Sequence, residues 1–159
     1  MAHRKYVLDT QVFIDAFRDP AANEALQAFH RAFAPFEYRS AIVGQELRAG
    51  IRRPQDRRAL ERHVLEVFSR VGRTVTPSAD TWHTSGDVLS KMAREEGLDV
   101  AKLSKSFGND VLLALSCREA GCVLVTANQR DFQRIRRFVR FEFVKPWPEA
   151  RPTTVMPHG

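Results

Sequence analysis

A continuous apolar run near the C-terminal end of the sequence constrains the fold most strongly. Residues 122–125 read Cys-Val-Leu-Val, without the polar–apolar alternation of a strand that has one solvated face. The run follows a strongly helical stretch, residues 110–120, and Gly121, a typical residue at a helix end. A helix that leads into a strand buried on both faces is typical of a parallel sheet covered by helices. The sequence therefore predicts an α/β domain.

The rest of the chain repeats this alternation of strands and helices. Further short apolar runs predict strands at residues 6–8, 36–39, 74–76 and 139–144. Helical patterns lie between them, at residues 12–17, 21–33, 40–51, 55–70, 78–96 and 129–135. The polar residues 98–108 are predicted to form a loop. We therefore expect a mostly parallel central sheet of four to five strands flanked by helices.

The length of 159 residues suits one compact domain. We predict that this domain spans residues 1–146 and that the proline-rich residues 147–159 form a C-terminal tail. No apolar run approaches the roughly 20 residues that are needed to cross a bilayer. The N-terminal residues also lack the long apolar segment of a secretory signal. The expectation is a cytoplasmic protein with no membrane partner.

The balance of charges favours a polyanionic ligand. The formal net charge is +6 and the isoelectric point is about 9.9. Basic residues concentrate in residues 48–62 and 130–140. Such clusters are equally well explained as solvated helix faces, so they support a nucleic-acid partner only if a suitable site exists elsewhere.

The cysteines and histidines do not predict a zinc site. Cys117 and Cys122 both lie in apolar surroundings, which favours two buried, reduced thiols over a disulfide. The five histidines are scattered and do not have the spacing of zinc ligands. We therefore expect no zinc.

Two aspartates lie near the ends of predicted strands, where ligands gather in parallel sheets. Asp9 directly follows the first strand, and Asp131 lies a short turn beyond the strand at residues 122–125. Asp9 could cap the next helix, but Thr10 could serve as that cap, which favours a functional role for Asp9. Asp131 could equally belong to a capping box that begins at Asn128.

Two further acids are predicted on inward-facing helix positions. On a helix capped by Ser40, Glu46 shares a face with Ile42 and Val43, and with Ala49 or Gly50. A carboxylate on this buried stripe needs a partner, either a cation or an arginine. Asp110 lies in line with Leu113, Ala114 and Cys117, although Asn109 could cap a helix in which Asp110 merely meets the dipole.

A shared site for these four carboxylates would require a cation. Carboxylates that converge in a partly dry cleft repel one another and raise each other's pKa values. A hard divalent ion relieves that repulsion, and ligands that are all oxygen suit Mg²⁺ or Mn²⁺. Such an ion also activates water for attack on a phosphoryl group.

Four segments in this order carry a resemblance to a known family. They are residues 6–10 (Tyr-Val-Leu-Asp-Thr), 46–50 (Glu-Leu-Arg-Ala-Gly), 109–110 (Asn-Asp) and 124–132 (Leu-Val-Thr-Ala-Asn-Gln-Arg-Asp-Phe). Together they resemble the PIN-domain ribonucleases, and most closely the VapC-type toxins of toxin–antitoxin pairs. The resemblance covers residues 5–144, nearly the whole chain.

The resemblance implies a function and a set of site residues. It implies a metal-dependent endoribonuclease that uses Mg²⁺ or Mn²⁺, forms a homodimer and is silenced by a cognate antitoxin whose tail covers the acidic cleft. The RNA substrate would be cut in single-stranded or loop regions. The implied catalytic metal ligands are Asp9, Glu46, Asp110 and Asp131, supported by Thr10, Thr126 and Asn128. The stretch between Gly97 and Asn109 is longer than this family pattern suggests, and its Lys102 and Lys105 fit either an RNA-contacting edge or a variable loop.

Other classes fit the sequence less well. Aspartyl-nucleophile phosphatases and dehalogenases need a second aspartate two positions after the first, where this chain has Gln11. A receiver domain would need paired acids and a strand-end lysine, and no Gly-rich phosphate loop is present. The main alternative is a non-catalytic RNA- or partner-binding protein that retains the PIN fold. A structural module whose acids are only caps and ion pairs also remains open.

Overall fold

Five parallel strands form the centre of the computed structural model, which describes residues 4–65 and 72–148. The strands are β1 (Lys5–Leu8), β2 (Glu37–Ser40), β3 (Thr74–Val75), β4 (Cys122–Val125) and β5 (Phe143–Val144). Their order in the sheet is β3-β2-β1-β4-β5, and every neighbouring pair is parallel. This confirms the predicted α/β class and the parallel sheet.

The strand order creates a topological switch beside β1. The chain first moves outward from β1 to β2 and β3, and later starts again on the other side of β1 with β4 and β5. The register is direct, since Tyr6 lies opposite Val123 and Leu8 opposite Val125. In such sheets a crevice opens at the carboxyl ends of the strands where the order reverses. The residues that follow β1 and β4 therefore lie side by side at that crevice.

Helices flank the sheet, as the sequence predicts. Within the described ranges the α-helices are α1 (Thr10–Arg18), α2 (Pro20–Phe33), α3 (Ala41–Gly50), α4 (Pro54–Leu60), α5 (Ala79–Glu96), α6 (Lys105–Ala120) and α7 (Gln129–Arg136). Short 3₁₀ turns occur at Ala34–Phe36 and Val100–Lys102, and a π-helical turn at Glu61–Leu65 continues α4. Gly97 and Gly121 end α5 and α6 with φ values of +65° and +67°, a conformation that favours glycine.

The core lies between β4 and the middle of α6. All four residues of β4 are buried, and so is every residue of α6 from Val111 to Cys117. A helix that is apolar on all sides of one segment must be covered on all sides, so α6 is a central element of the fold. Cys117 and Cys122 are both buried free thiols, as expected. In the part of the chain that the structure describes, no helix is both long and apolar enough to span a bilayer.

The largest differences from the predicted boundaries are at the start of α6 and the start of β5. The helix predicted from residue 110 begins at Lys105, because the Ser104 hydroxyl accepts a hydrogen bond from the Phe107 amide (3.0 Å) and caps it there. Most of the loop predicted at residues 98–108 is therefore a 3₁₀ turn followed by the first turn of α6. The last strand is shorter than predicted, because the Val139 amide donates to the Ile135 carbonyl (3.0 Å) and closes the end of α7.

Parts of two other predictions fall beyond what the structure describes. The helix predicted at residues 55–70 is present as α4 and its π-helical turn, whereas residues 66–70 lie outside the described ranges. The same holds for residues 149–159 of the predicted tail. At the described start of that tail, the Trp147 ring lies 5.2 Å from the Phe29 ring and packs against the core.

Candidate active site

Asp9 lies at the switch point between β1 and β4. Its amide donates to the Val125 carbonyl (2.9 Å), which continues the ladder between the two strands. Its carboxylate accepts from the Thr10 amide (2.8 Å) through one oxygen and from the Thr126 hydroxyl (2.7 Å) through the other. Only 8% of Asp9 is exposed. Asp9 itself is the N-cap of α1, so the suggestion that Thr10 would take over the cap was wrong.

Thr126 and Asn128 connect Asp9 to Asp131. The completely buried Thr126 hydroxyl donates to Asp9 and accepts from the Asn128 amide (3.0 Å). The Asn128 side chain donates to the Asp131 carboxylate (3.0 Å), and its oxygen caps α7 by accepting from the Asp131 amide (3.4 Å). The predicted cap at Asn128 is therefore present. The Asp131 carboxylate is held by the amide side chain of Asn128, and its charge reaches Asp110 closely enough to raise the pKa of that carboxyl.

Glu46 reaches the same crevice from α3. That helix begins directly after β2, where the buried Ser40 hydroxyl accepts from the Ile42 amide (3.1 Å). Glu46 is half-buried, and the pKa of its carboxyl is raised by burial and by the charge of Asp9. The buried face that the sequence predicts for α3 is only partly present. Ile42 and Val43 are buried, whereas Ala49 and Gly50 at the end of the helix are exposed.

Two neighbouring residues offset part of the rise in the pKa of Glu46. The Thr10 hydroxyl lies close enough to Glu46 to lower the pKa of its carboxyl, and the charge of Lys105 acts in the same direction. The Thr10 oxygen is buried and makes no well-formed hydrogen bond. It is a buried polar atom beside Glu46 that can still make a hydrogen bond.

Asp110 is the most perturbed of the four acids. Burial raises the pKa of its carboxyl to about 8, with further contributions from the charges of Asp9, Glu46 and Asp131. Four segments distant in sequence therefore bring their carboxylates into electrostatic reach of one another. Since α6 begins five residues earlier, Asp110 is not in its first turn, and the alternative that it only meets the helix dipole was wrong.

The chemistry of this donor set suits a hard divalent cation. Its charged members are all carboxylates, its neutral neighbours are hydroxyl and amide groups, and burial raises the pKa of Asp9 as well, against the effect of its hydrogen bonds. Such groups favour Mg²⁺ or Mn²⁺ over zinc. Within residues 4–65 and 72–148, no three His, Cys, Asp or Glu side chains are arranged to hold a metal ion as they stand. The donor groups therefore fit a divalent cation by the chemistry of their oxygen atoms and by their negative charge.

The cationic side chains beside the acids were only partly anticipated. An open cleft of about 500 Å³ adjoins Asp131 and is otherwise lined by Arg130, Gln133, Arg134 and Arg137. The basic cluster at residues 130–140 was visible in the sequence, but its position beside an acid depends on how α7 packs. Lys105 was assigned to a loop, whereas it is the first residue of α6.

Comparisons with known proteins identify the family and show related folds. The family model described as PIN domain matches residues 6–138. Solved structures share the fold at a TM-score of 0.66 for a chain of DNA-bound VapBC from Salmonella typhimurium, with 20% identity over 90% of this chain and 98% of that one. FitAcB from Neisseria gonorrhoeae follows with a TM-score of 0.64 and 21% identity over 89% of this chain and 98% of that one. No curated protein gives a significant match. Because the family model covers most of its length, the chain belongs to the PIN domain family.

Proposed function

We propose that this protein is a metal-dependent endoribonuclease that acts as the toxin of a toxin–antitoxin pair. The observation that carries the proposal is the meeting of Asp9, Glu46, Asp110 and Asp131 at the switch point of a PIN-family sheet. Ion pairing does not explain this meeting, because like charges gathered in a half-buried crevice destabilise a fold unless something compensates them. A site that binds a cation for catalysis gives them a function.

The four carboxylates would hold Mg²⁺ or Mn²⁺. When bound, the ion supplies positive charge that acidifies a water and offsets the charge on a phosphoryl oxygen. A bound cation would offset the repulsion between these carboxylates and draw them together. The carboxyl groups are then fixed by their neighbours, since the Thr126 hydroxyl orients Asp9 and the Asn128 amide orients Asp131.

The reaction would be hydrolysis of an RNA phosphodiester. A water oxygen forms the new bond to phosphorus, the bond to the 3′ oxygen breaks, and that oxygen takes up a proton. The products are a 5′-phosphate and a 3′-hydroxyl, and the proton released by the water passes to solvent. No side chain of the site has to form a covalent intermediate.

The toxin assignment and the partners rest on similarity and on charge. Solved structures that share this fold include those named VapBC and FitAcB. We therefore infer a cognate antitoxin, a homodimer and a cytoplasmic location for this chain. The net charge of +6 favours an RNA substrate, because the phosphate backbone is attracted to it.

The decisive experiment is RNA cleavage by the protein purified free of antitoxin. Total RNA is incubated with Mg²⁺ or Mn²⁺, and parallel samples contain EDTA, Asp9→Asn or Asp87→Asn. Asp87 is exposed on α5, so its variant makes the same chemical change outside the crevice. We expect discrete cleavage that is lost with EDTA and in Asp9→Asn but kept in Asp87→Asn.

Two results would contradict the proposal. Cleavage that survives in Asp9→Asn would mean a contaminating nuclease or a site elsewhere. Tight binding of several RNA classes without cleavage would favour the alternative of a non-catalytic RNA-binding protein with a PIN fold.

A further inference from the structure

Arg134 is placed where it could neutralise Asp131. It follows Asp131 by three residues in α7, and side chains three residues apart are neighbours on a helix surface. Arg134 is also the only basic residue three or four positions from Asp131, and both side chains line the same cleft. An arginine often binds a carboxylate through two parallel hydrogen bonds, which would occupy the oxygen atoms that a cation needs. An ion pair between these two residues would therefore compete with metal binding.

Arg134 pairs instead with Glu96, the last residue of α5. Its Nε donates to Glu96 Oε2 (2.8 Å), and a terminal nitrogen of the guanidinium donates to the same oxygen. Arg137 donates to the other oxygen, Oε1 (3.1 Å). The hydrogen bonds from Arg134 lower the pKa of Glu96, so this acid is charged at neutral pH. In the described part of the chain Arg134 forms no ion pair with Asp131, whose carboxylate accepts from the Asn128 side chain.

An aromatic ring also holds the Arg134 guanidinium. Its central carbon lies over the buried Phe107 ring of α6, 4.9 Å from the ring centroid. Phe107 precedes Asp110 by three residues, just as Arg134 follows Asp131 by three residues. The contact between α6 and α7 therefore lies one helical turn from the acid on each helix. Glu96 and Phe107 together determine the direction of the Arg134 side chain.

The position of Glu96 is unfavourable for its own helix. The C-terminal end of a helix carries a partial negative charge, which repels a carboxylate in the last turn. Glu96 is at that end, directly before Gly97. Partly exposed ion pairs also contribute little to stability. Glu96 is therefore better explained by its two arginine partners than by the stability of α5.

We propose that Glu96 is a positioning residue, which holds the Arg134 guanidinium away from Asp131 and thereby keeps that carboxylate available to a divalent cation. Without Glu96 the guanidinium turns to the carboxylate of its own helix, because the attraction between opposite charges grows as they approach. Arg134 then occupies Asp131 and adds a positive charge where the cation would bind. This inference rests on the proposed function, which gives Asp131 a metal ion to bind.

The test measures Mn²⁺ binding separately from RNA cleavage. The Kd for Mn²⁺ is determined by isothermal titration calorimetry with the chain free of antitoxin, and circular dichroism checks that each variant folds. Glu96→Gln removes the negative charge and keeps the shape of the side chain. It is combined either with Arg134→Gln or with Arg137→Gln, so that each double variant lacks one of the two arginines. Arg137 follows Asp131 by six residues, about 9 Å further along the helix axis, and is the matched control.

We expect Glu96→Gln to raise the Kd for Mn²⁺ about three- to tenfold, because the freed arginine competes for Asp131. Addition of Arg134→Gln should return the Kd to within about twofold of the wild-type value, since the competing cation is gone. Addition of Arg137→Gln should leave the Kd raised. Glu95→Gln makes the same change at the neighbouring exposed carboxylate and should not alter the Kd.

An ion pair that only braces the helices predicts a different pattern. Arg134→Gln breaks the same ion pair, so under that explanation it would raise the Kd by itself and would not restore the binding that Glu96→Gln loses. Either result would overturn the inference, and so would a Kd of Glu96→Gln equal to that of the wild type. The single variant Arg134→Gln gives this answer even if Glu96→Gln does not fold.

The inference and the proposed function can fail separately. If the expected pattern of Kd values appears while the wild-type chain cleaves no RNA, the role of Glu96 stands and the nuclease function fails. If the wild-type chain cleaves RNA and Glu96→Gln binds Mn²⁺ normally, the nuclease function stands and the role of Glu96 fails. A wild-type chain that binds no Mn²⁺ would contradict both.

Discussion

Thr126 is the residue through which two of the four carboxylates are connected. It is completely buried, donates to Asp9 and accepts from the Asn128 amide, and Asn128 in turn holds Asp131. A hydroxyl is the smallest side-chain group that donates and accepts at the same point. The position of Asp9 therefore depends on one oxygen atom contributed from the end of the neighbouring strand.

Replacing Thr126 by valine tests this role, because valine keeps the shape and removes the oxygen. We expect Thr126→Val to lower ribonuclease activity about 10–100-fold, as for other residues that orient metal ligands. It also leaves a carboxylate oxygen and an amide without partners, which costs about 1–3 kcal/mol of stability. Activity is measured over a range of Mg²⁺ concentrations, and the free energy of unfolding by urea denaturation.

The matched control is Thr126→Ser, which keeps the hydroxyl and loses a methyl group. It is expected to retain most of the activity although its stability falls slightly. Equal losses of activity in the valine and serine variants would show that packing around Thr126 matters and its hydrogen bonds do not.

At the scale of elements, capping side chains fix where the helices that carry three of the acids begin. Ser40 begins α3, Asn128 begins α7, and Ser104 begins α6 five residues earlier than its apolar pattern suggests. Each cap fixes where a helix starts, and the start fixes which side chains face the crevice. The direction in which Glu46 and Asp110 point thus depends on the hydroxyl groups of Ser40 and Ser104, which are not among the candidate site residues.

Removal of the cap of α3 is expected to lower the free energy of unfolding of the protein. Ser40→Ala leaves the Ile42 amide without its buried partner, which costs about 0.5–2 kcal/mol. The exposed Ser90 within α5 offers the same substitution without a cap, where alanine is neutral or slightly stabilising. The two variants are compared by the midpoint of urea unfolding, and equal midpoints would mean that the Ser40 hydroxyl does not hold the helix start.

At the scale of the whole molecule, charge is segregated. Carboxylates gather in one crevice at the switch point of the sheet, whereas the arginines of α7 line an adjoining cleft and Lys105 is exposed at the surface. Concentrating like charges costs stability, and this cost is expected where a fold carries a functional site. The protein should therefore be less stable without its cation than its core alone would allow.

The pH dependence of stability follows from Asp110. Its pKa is about 8 in the folded protein and 3.8 when unperturbed, so between these values the folded state binds more protons than the unfolded state. The free energy of unfolding of the metal-free protein is therefore expected to fall as pH rises through this window. Urea denaturation in EDTA at about pH 6 and about pH 8.5 measures the difference.

Asp110→Asn serves as the reference for this measurement. It removes the ionising group, so we expect a smaller decline with pH and a gain of about 1–2 kcal/mol at the higher pH. A divalent ion should stabilise the wild-type chain more than this variant, because it binds only the folded site. An unchanged pH slope in Asp110→Asn would assign the decline to other groups.

The fold could largely be predicted from the sequence because its signals are local. The apolar run of β4 and the cap residues Ser40 and Gly121 each act over a few neighbouring residues, and all three were found as predicted. The predicted boundaries of helices and strands were wrong where a tertiary contact or another capping residue fixed the end of the element. Ser104 caps α6 earlier than its apolar pattern predicts. The buried Arg39 of β2 donates to Thr74, which lies 35 residues further along the chain.

The sequence by itself determined which residues of the site are acidic, on which elements they stand and in which order they follow. Only the tertiary structure decided that Asp9, Glu46, Asp110 and Asp131 share one electrostatic environment, because that depends on the reversal of strand order beside β1 and on the rotation of three helices. It also decided that Asp131 shares a cleft with the arginines of α7. Local pattern sets the secondary structure, whereas distances between side chains remote in sequence are set by packing, which short-range signals do not encode.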